Sequence, residues 1–169
     1  SELDRRGERD EHRQQGARKH PVRSLPRRLI LTAAATVLLL LLSYLCSLLP
    51  GGNYSPAEQT SLASGARMSL PFAALLLRSA VFPAVCEEMY YRRSLSDAIA
   101  SVGAGRFTAC ICAALLFAVS HTGGGVSSVL LAGISSLILS ALRTCSKSIA
   151  CPIAAHLIYN SAVLIAANI

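Results

Sequence analysis

Three short clusters place residues that can move protons within the apolar part of this chain. They read Glu87-Glu88-Met89-Tyr90-Tyr91-Arg92, Phe117-Ala118-Val119-Ser120-His121 and His156-Leu157-Ile158-Tyr159-Asn160, and each lies in or beside an apolar stretch. A charged side chain at the centre of a lipid-spanning helix costs about 2.5–3.5 kcal/mol on insertion scales, so such residues point to function. Two carboxylates, two imidazoles and a carboxamide form a kit for activating water and cleaving an amide.

Helical spacing sharpens this reading. Glu88 and Arg92 are four residues apart and share a helix face. Glu87 lies about 100° round from Glu88, so the two carboxylates point in different directions from one helix. Arg92 can hold or orient Glu88, which leaves Glu87 for proton transfer. His156 and Asn160 are also four apart, and as a pair they can bind a developing oxyanion. Each cluster has a plainer reading when taken alone. The first could be solvated carboxylates bridged to Arg92 and Arg93, the second a satisfied histidine at a helix end, the third an interhelical hydrogen-bonding pair.

The elements that must bring these clusters together are apolar helices. The 169 residues are 53% hydrophobic and 15% charged, with a mean hydropathy of +0.49. The apolar residues sit in blocks, a pattern foreign to a soluble domain. Leu29 to Leu49 runs without a charge, about 30 Å of helix and one bilayer core. It exceeds a signal-peptide core and lacks a small-residue cleavage site, so it reads as a retained helix. Further helices are expected over 69–92, 106–121, 126–142 and 152–167. Pro71 fits the first turn of the second, and Pro83 is expected to kink it just ahead of the glutamates. Gly133, Ser135, Ser136 and Ser140 give the fourth small faces for close packing. Ser94 to Val102 fits a short interfacial helix within the polar connection at 92–106. The fold expected is all-α, a polytopic membrane bundle of about five transmembrane helices, with residues 1–28 a disordered basic tail.

The net charge of +7 is concentrated in that tail, where Arg5, Arg6, Arg9, Arg13, Arg18, Lys19, Arg23, Arg27 and Arg28 face five acids. It abuts the first helix as a cytoplasmic flank would, which favours a solvated tail over a nucleic-acid arm. With five spans, the tail and the 92–106 and 143–149 loops fall on one side, and all are net basic. The 50–68 and 122–125 loops carry no net charge and fall on the other. The N-terminus is thus expected in the cytoplasm. A tension follows: Glu87 falls near the cytoplasmic side and His121 near the other, unless the third helix sits deep. Arg106 to His121 spans only about 23 Å. The six cysteines, Cys46, Cys86, Cys110, Cys112, Cys145 and Cys151, form no C-x-x-C pair and read as small buried hydrophobes.

Glu-Glu-x-x-x-Arg, Phe-x-x-x-His and His-x-x-x-Asn, in that order on successive helices, resemble the motifs of the CPBP (also called Abi) family of intramembrane proteases. That family includes the type II CAAX prenyl endopeptidases and bacterial bacteriocin-processing and immunity-associated proteins. The approach from Leu142 to His156 is also similar, and the likeness covers about Phe82 to Ala162. The resemblance implies that residues 69–169 form a catalytic helix bundle. In it Glu87 is the general base, helped by His121; Glu88 and Arg92 support the site; His156 and Asn160 form an oxyanion hole. It implies a peptide or protein substrate, in one class prenylated, and an integral protein of a membrane such as the bacterial plasma membrane, in contact with lipid and not nucleic acid. It leaves the cofactor open. A catalytic zinc on Glu87, His121 and His156 is one form, and metal-free, glutamate-driven hydrolysis is the other. No standard zinc signature is present. The chain departs from the family at Arg93, where glycine is common, and at Tyr91, where phenylalanine is usual. The alternatives are a non-enzymatic immunity or partner-binding membrane protein and a small transporter relaying protons.

Overall fold

The computed structural model describes residues 25–49 and 72–167. Of the disordered tail expected over 1–28, residues 1–24 lie outside the described residues, as do the loop expected over 50–68 and the expected start of the second helix, while residues 25–28 are helical. Among the described residues five helices make up the bundle: α1 Leu25–Ser47, α2 a continuous helical run over residues 72–101, α3 Arg106–Val119, α4 Gly125–Ser146 and α5 Ala150–Ala166. No strand occurs among the described residues. The first helix begins at Leu25, earlier than expected, because Pro26 has no N–H to lose in a first turn. Arg27 and Arg28 therefore lie in its first turn, ahead of the uncharged run.

The patterning of α1 and α4 is the inverse of a water-soluble helix. Ala35, Thr36, Leu39, Ser43 and Cys46 form the buried face of α1, while Val37, Leu38, Leu41, Tyr44 and Leu45 face outward. On α4, Ser127, Ser128, Ser135, Ser136 and Ser140 point inward and Val126, Leu130, Ile134 and Leu137 outward. Small residues inside and large apolar ones outside suit a helix whose solvent is lipid. Leu25–Ser47 and Thr122–Ser146 are long and apolar enough to cross a membrane. The other three helices differ from the expected full spans. The 14 residues of α3 rise roughly 21 Å and the 17 of α5 roughly 25 Å, short of a core of about 30 Å. The α2 run carries the charged cluster.

Two wide turns shape α2. Leu77–Val81 is π-helical, and the carbonyl of Leu77 accepts from the amide of Phe82, five residues on. Pro83 lacks an N–H and its ring crowds the carbonyl four residues back, so the expected kink takes the form of this wider turn just ahead of it. A second π segment, Glu88–Leu95, carries the charged motif, and such turns recur at functional sites. The Ser96 hydroxyl donates to the carbonyl of Tyr91 at 2.7 Å, and the helix runs on through Ser96–Ser101. The expected interfacial helix is therefore the end of α2 itself. The chain breaks only at 102–105, where Gly103 has a φ of +93°.

α3 climbs back along α2 and stops part-way. The turn at Thr122–Gly124 follows, and Gly125 enters α4 with a φ of +77°, a conformation that glycine adopts without strain. A Cβ on Gly124 would lie 2.7 Å from Ser128. Short connections place the ends of α2 and α4 and the starts of α3 and α5 at one end of the bundle. There Asp97 and Arg143 form an ion pair at 3.1 Å, and Arg93, Arg106 and Lys147 gather at the same end.

α3 and α4 meet closely where a Cβ on Gly133 would sit 3.3 Å from that of Ala118. Gly133→Leu is expected to force the helices apart and destabilise the bundle by about 1–3 kcal/mol, read by thermal unfolding in detergent. Asp97→Asn, which loosens a pair whose acid is 63% exposed, is expected to cost under ~1 kcal/mol in the same measurement.

Candidate active site

The second π segment of α2 opens on Glu88, whose side chain is fully buried, and Arg92 one turn later is 1% exposed. Arg92 Nη1 lies 3.1 Å from Glu88 Oε1. An isolated buried charge is prohibitive, so each group needs the other. The guanidinium also lies over the ring of Phe117, 4.7 Å from its centroid, in a cation–π contact. Nη1 is within ion-pair distance of Glu88 but not aligned as a hydrogen bond, and Nε and Nη2 have no hydrogen-bond partner among the described residues. Charge attraction and the ring face hold Arg92.

From α5, His156 Nδ1 approaches the same Glu88 oxygen at 3.0 Å. A carboxylate accepts, so Nδ1–H donates and Nε2 is the nitrogen left. Nε2 lies 3.8 Å from Glu87 Oε2. His156 therefore stands between the two carboxylates. Glu87, turned aside by its place on the helix, keeps a side chain 30% exposed. Both imidazoles, His156 and His121, lie within electrostatic reach of it.

His121 is fixed by its own helix end. Its Nδ1 is 2.8 Å from the carbonyl oxygen of Phe117 and 3.1 Å from Ser120 Oγ, which itself donates to that carbonyl at 2.7 Å. A carbonyl only accepts, so Nδ1 carries the proton and Nε2 keeps its lone pair. The Phe117 ring is 4.5 Å from the His121 ring and 4.9 Å from Tyr91. It is wedged between Arg92 and His121, a physical reason for an aromatic one turn before the histidine.

A cavity of about 60 Å³ opens between the helices, lined by Phe117 and His121 of α3, His156 and Asn160 of α5, Ser135 of α4 and Leu39 of α1, among others. It has room for a few waters. Glu87 does not line it and stands instead beside His156 Nε2. The depth expected to separate Glu87 from His121 is removed by the shortness of α3, which ends level with the glutamates. Sequence reasoning left Leu39, Ser128 and Tyr159 unassigned and took Ser135 for helix packing. The signal available was the seven-residue spacing of Ser128 and Ser135 on one face.

A family model described as type II CAAX prenyl endopeptidase Rce1-like matches residues 69–162, more than half of the 169-residue chain. The chain belongs to the Rce1-like family. It is a family of integral-membrane proteases of the CAAX type. No curated protein and no solved structure matches the chain. The matched stretch contains all six residues singled out in the three clusters and excludes α1, whose Leu39 nevertheless closes one wall of the Rce1-like cavity.

Among the described residues no group of three His, Cys, Asp or Glu side chains is placed to hold a metal ion. Glu88 is taken by Arg92, and His156 Nδ1 by Glu88. Glu87, His121 and His156, the set expected for zinc, do not form such a group as they stand, although Nε2 of each imidazole is the nitrogen left open. Glu88→Ala is expected to cost about 3–5 kcal/mol, because it strands the buried Arg92 charge. Chemical denaturation in detergent, compared with the small loss expected for Asp97→Asn, checks it.

Proposed function

We propose that this Rce1-like protein is an intramembrane endopeptidase that hydrolyses a peptide bond with water activated by Glu87, in a prenylated substrate of the CAAX type. The observation that carries the reading is the position of Glu87: partly exposed, beside a buried ion-paired neighbour, 3.8 Å from His156 Nε2 and within electrostatic reach of His121, two imidazoles that line one cavity. Glu87 accepts a proton as the water oxygen attacks the carbonyl carbon. His121 Nε2, the lone-pair nitrogen, accepts a hydrogen bond from the same water and orients it. The tetrahedral intermediate collapses with cleavage of the C–N bond, and Glu87 returns its proton to the leaving amine.

The oxyanion needs donors. The Asn160 amide supplies one in any protonation state. His156 adds a second through Nε2 only when the ring carries both protons, because Nδ1–H is committed to Glu88. Glu88 and Arg92 touch no reacting atom; they hold His156 and the α2 turn in place. The substrate class follows from the family. In a CAAX sequence the prenylated cysteine precedes two aliphatic residues and a terminal one, an apolar peptide suited to a lipid-walled site. The basic residues gathered at one end of the bundle support an N-terminus on the cytoplasmic side.

Glu87→Gln, purified in detergent or bilayers, is expected to fold like the parent and to lose about 10²–10⁴-fold in kcat on a farnesylated CAAX peptide, with KM nearly unchanged. Mass spectrometry of the released tripeptide reads the loss. Exhaustive chelation is expected to leave the parent's rate intact. Full-rate cleavage by Glu87→Gln would defeat the proposal.

A further inference from the structure

α4 carries none of the three motifs, yet it contributes a whole wall of the cavity. Ser128, Leu131, Ala132 and Ser135 line it from successive turns of one face. Ser135 is 9% exposed, and its Oγ has no hydrogen-bond partner among the described residues. The helices here offer hydroxyls an easy alternative. Thr32, Thr36 and Thr144 each donate to the carbonyl four residues back, at 2.9–3.0 Å, the usual arrangement for a hydroxyl within a helix. Ser135 forgoes it. Ser136 and Ser140 also forgo it, but they do not line the cavity.

An unsatisfied buried hydroxyl is unfavourable, and a partner arriving in the cavity would relieve it. A peptide entering a lipid-walled site has the matching need, since each N–H and C=O that sheds water requires a new partner. Of the other polar groups on this cavity, His121 is assigned to the water and His156 and Asn160 to the oxyanion; Ser128 and Tyr159 also line it, and Ser135 is the α4 hydroxyl there that is both buried and without an internal partner among the described residues. We infer that Ser135 is a substrate-contacting residue, whose hydroxyl bonds a main-chain amide of the peptide beside the scissile bond. This rests on the endopeptidase reading and adds to it the surface that holds the substrate, the cavity face of α4. The hydroxyl both donates and accepts, so it holds main chain without selecting side chains.

The test compares Ser135→Ala, Ser135→Thr and Ser136→Ala with the full-length parent. Two readouts are used: thermal unfolding, and steady-state cleavage of the farnesylated CAAX peptide. Ser135→Ala is expected to unfold no earlier than the parent, since it removes a hydroxyl with no internal partner. Its KM is expected to rise between about three- and tenfold, the loss of one hydrogen bond, with kcat held. Ser135→Thr is expected to restore KM, and Ser136→Ala to keep the parent's KM. A lower unfolding temperature for Ser135→Ala, or an unchanged KM, overturns the inference and leaves the endopeptidase reading standing. Absence of cleavage by the parent overturns that reading, and this inference with it.

Discussion

A carboxylate with no access to solvent organises this protein. Glu88 sits where neither water nor lipid can neutralise it, so Arg92 and His156 must come to it. Arg92 is on its own helix, one turn away. His156 is on α5, so the contact ties the last helix to the second across the bundle. The same arginine rests on Phe117 of α3, and Phe117 in turn stacks near His121. One buried charge thus fixes three helices relative to each other and leaves Glu87, its neighbour in sequence, beside His156 with His121 within electrostatic reach.

The environment of the bundle makes this constraint stronger. In water, large apolar residues inside the core would hold the helices together. Here most of them face outward, and apart from a small cluster around Leu39, Leu139 and Leu142, hydroxyls, glycine and alanine line much of the contact between helices. Packing between small surfaces gives little directional force, so the polar contacts decide which faces meet. A site that hydrolyses in lipid also needs a pocket that can admit water, and the short α3 leaves room for one. Its end and the glycine turn after it stop at the level of the glutamates instead of continuing past them, which leaves the space that His121, His156 and Asn160 share.

Much of this was legible in the sequence. The three clusters announced themselves as polar residues in apolar surroundings. Four-residue spacing placed Glu88 with Arg92, and the pair is an ion pair in the structure. The all-helical fold followed from the apolar runs, and Pro83 marked the distortion of α2. Other features depend on contacts that no local pattern encodes. That His156 reaches Glu88 is a meeting of residues 68 apart, set by how α5 crosses α2. The continuation of α2 past Arg93 was hidden because charges suggested a loop, whereas a π turn absorbs them. Ser135 and Ser136 look alike in sequence, and only the packing of α4 turns one to the cavity and the other away. The length of α3 was read correctly as short, but its consequence for the depth of His121 required the bundle.

The central claim is that Glu88 and His156 are energetically joined across the bundle. A double-mutant cycle between Glu88→Gln and His156→Gln, read as unfolding free energy in detergent, measures that link directly. A coupling of about 1–3 kcal/mol is predicted for a buried, hydrogen-bonded pair. Additive effects of the two substitutions, with a coupling near zero, would contradict it.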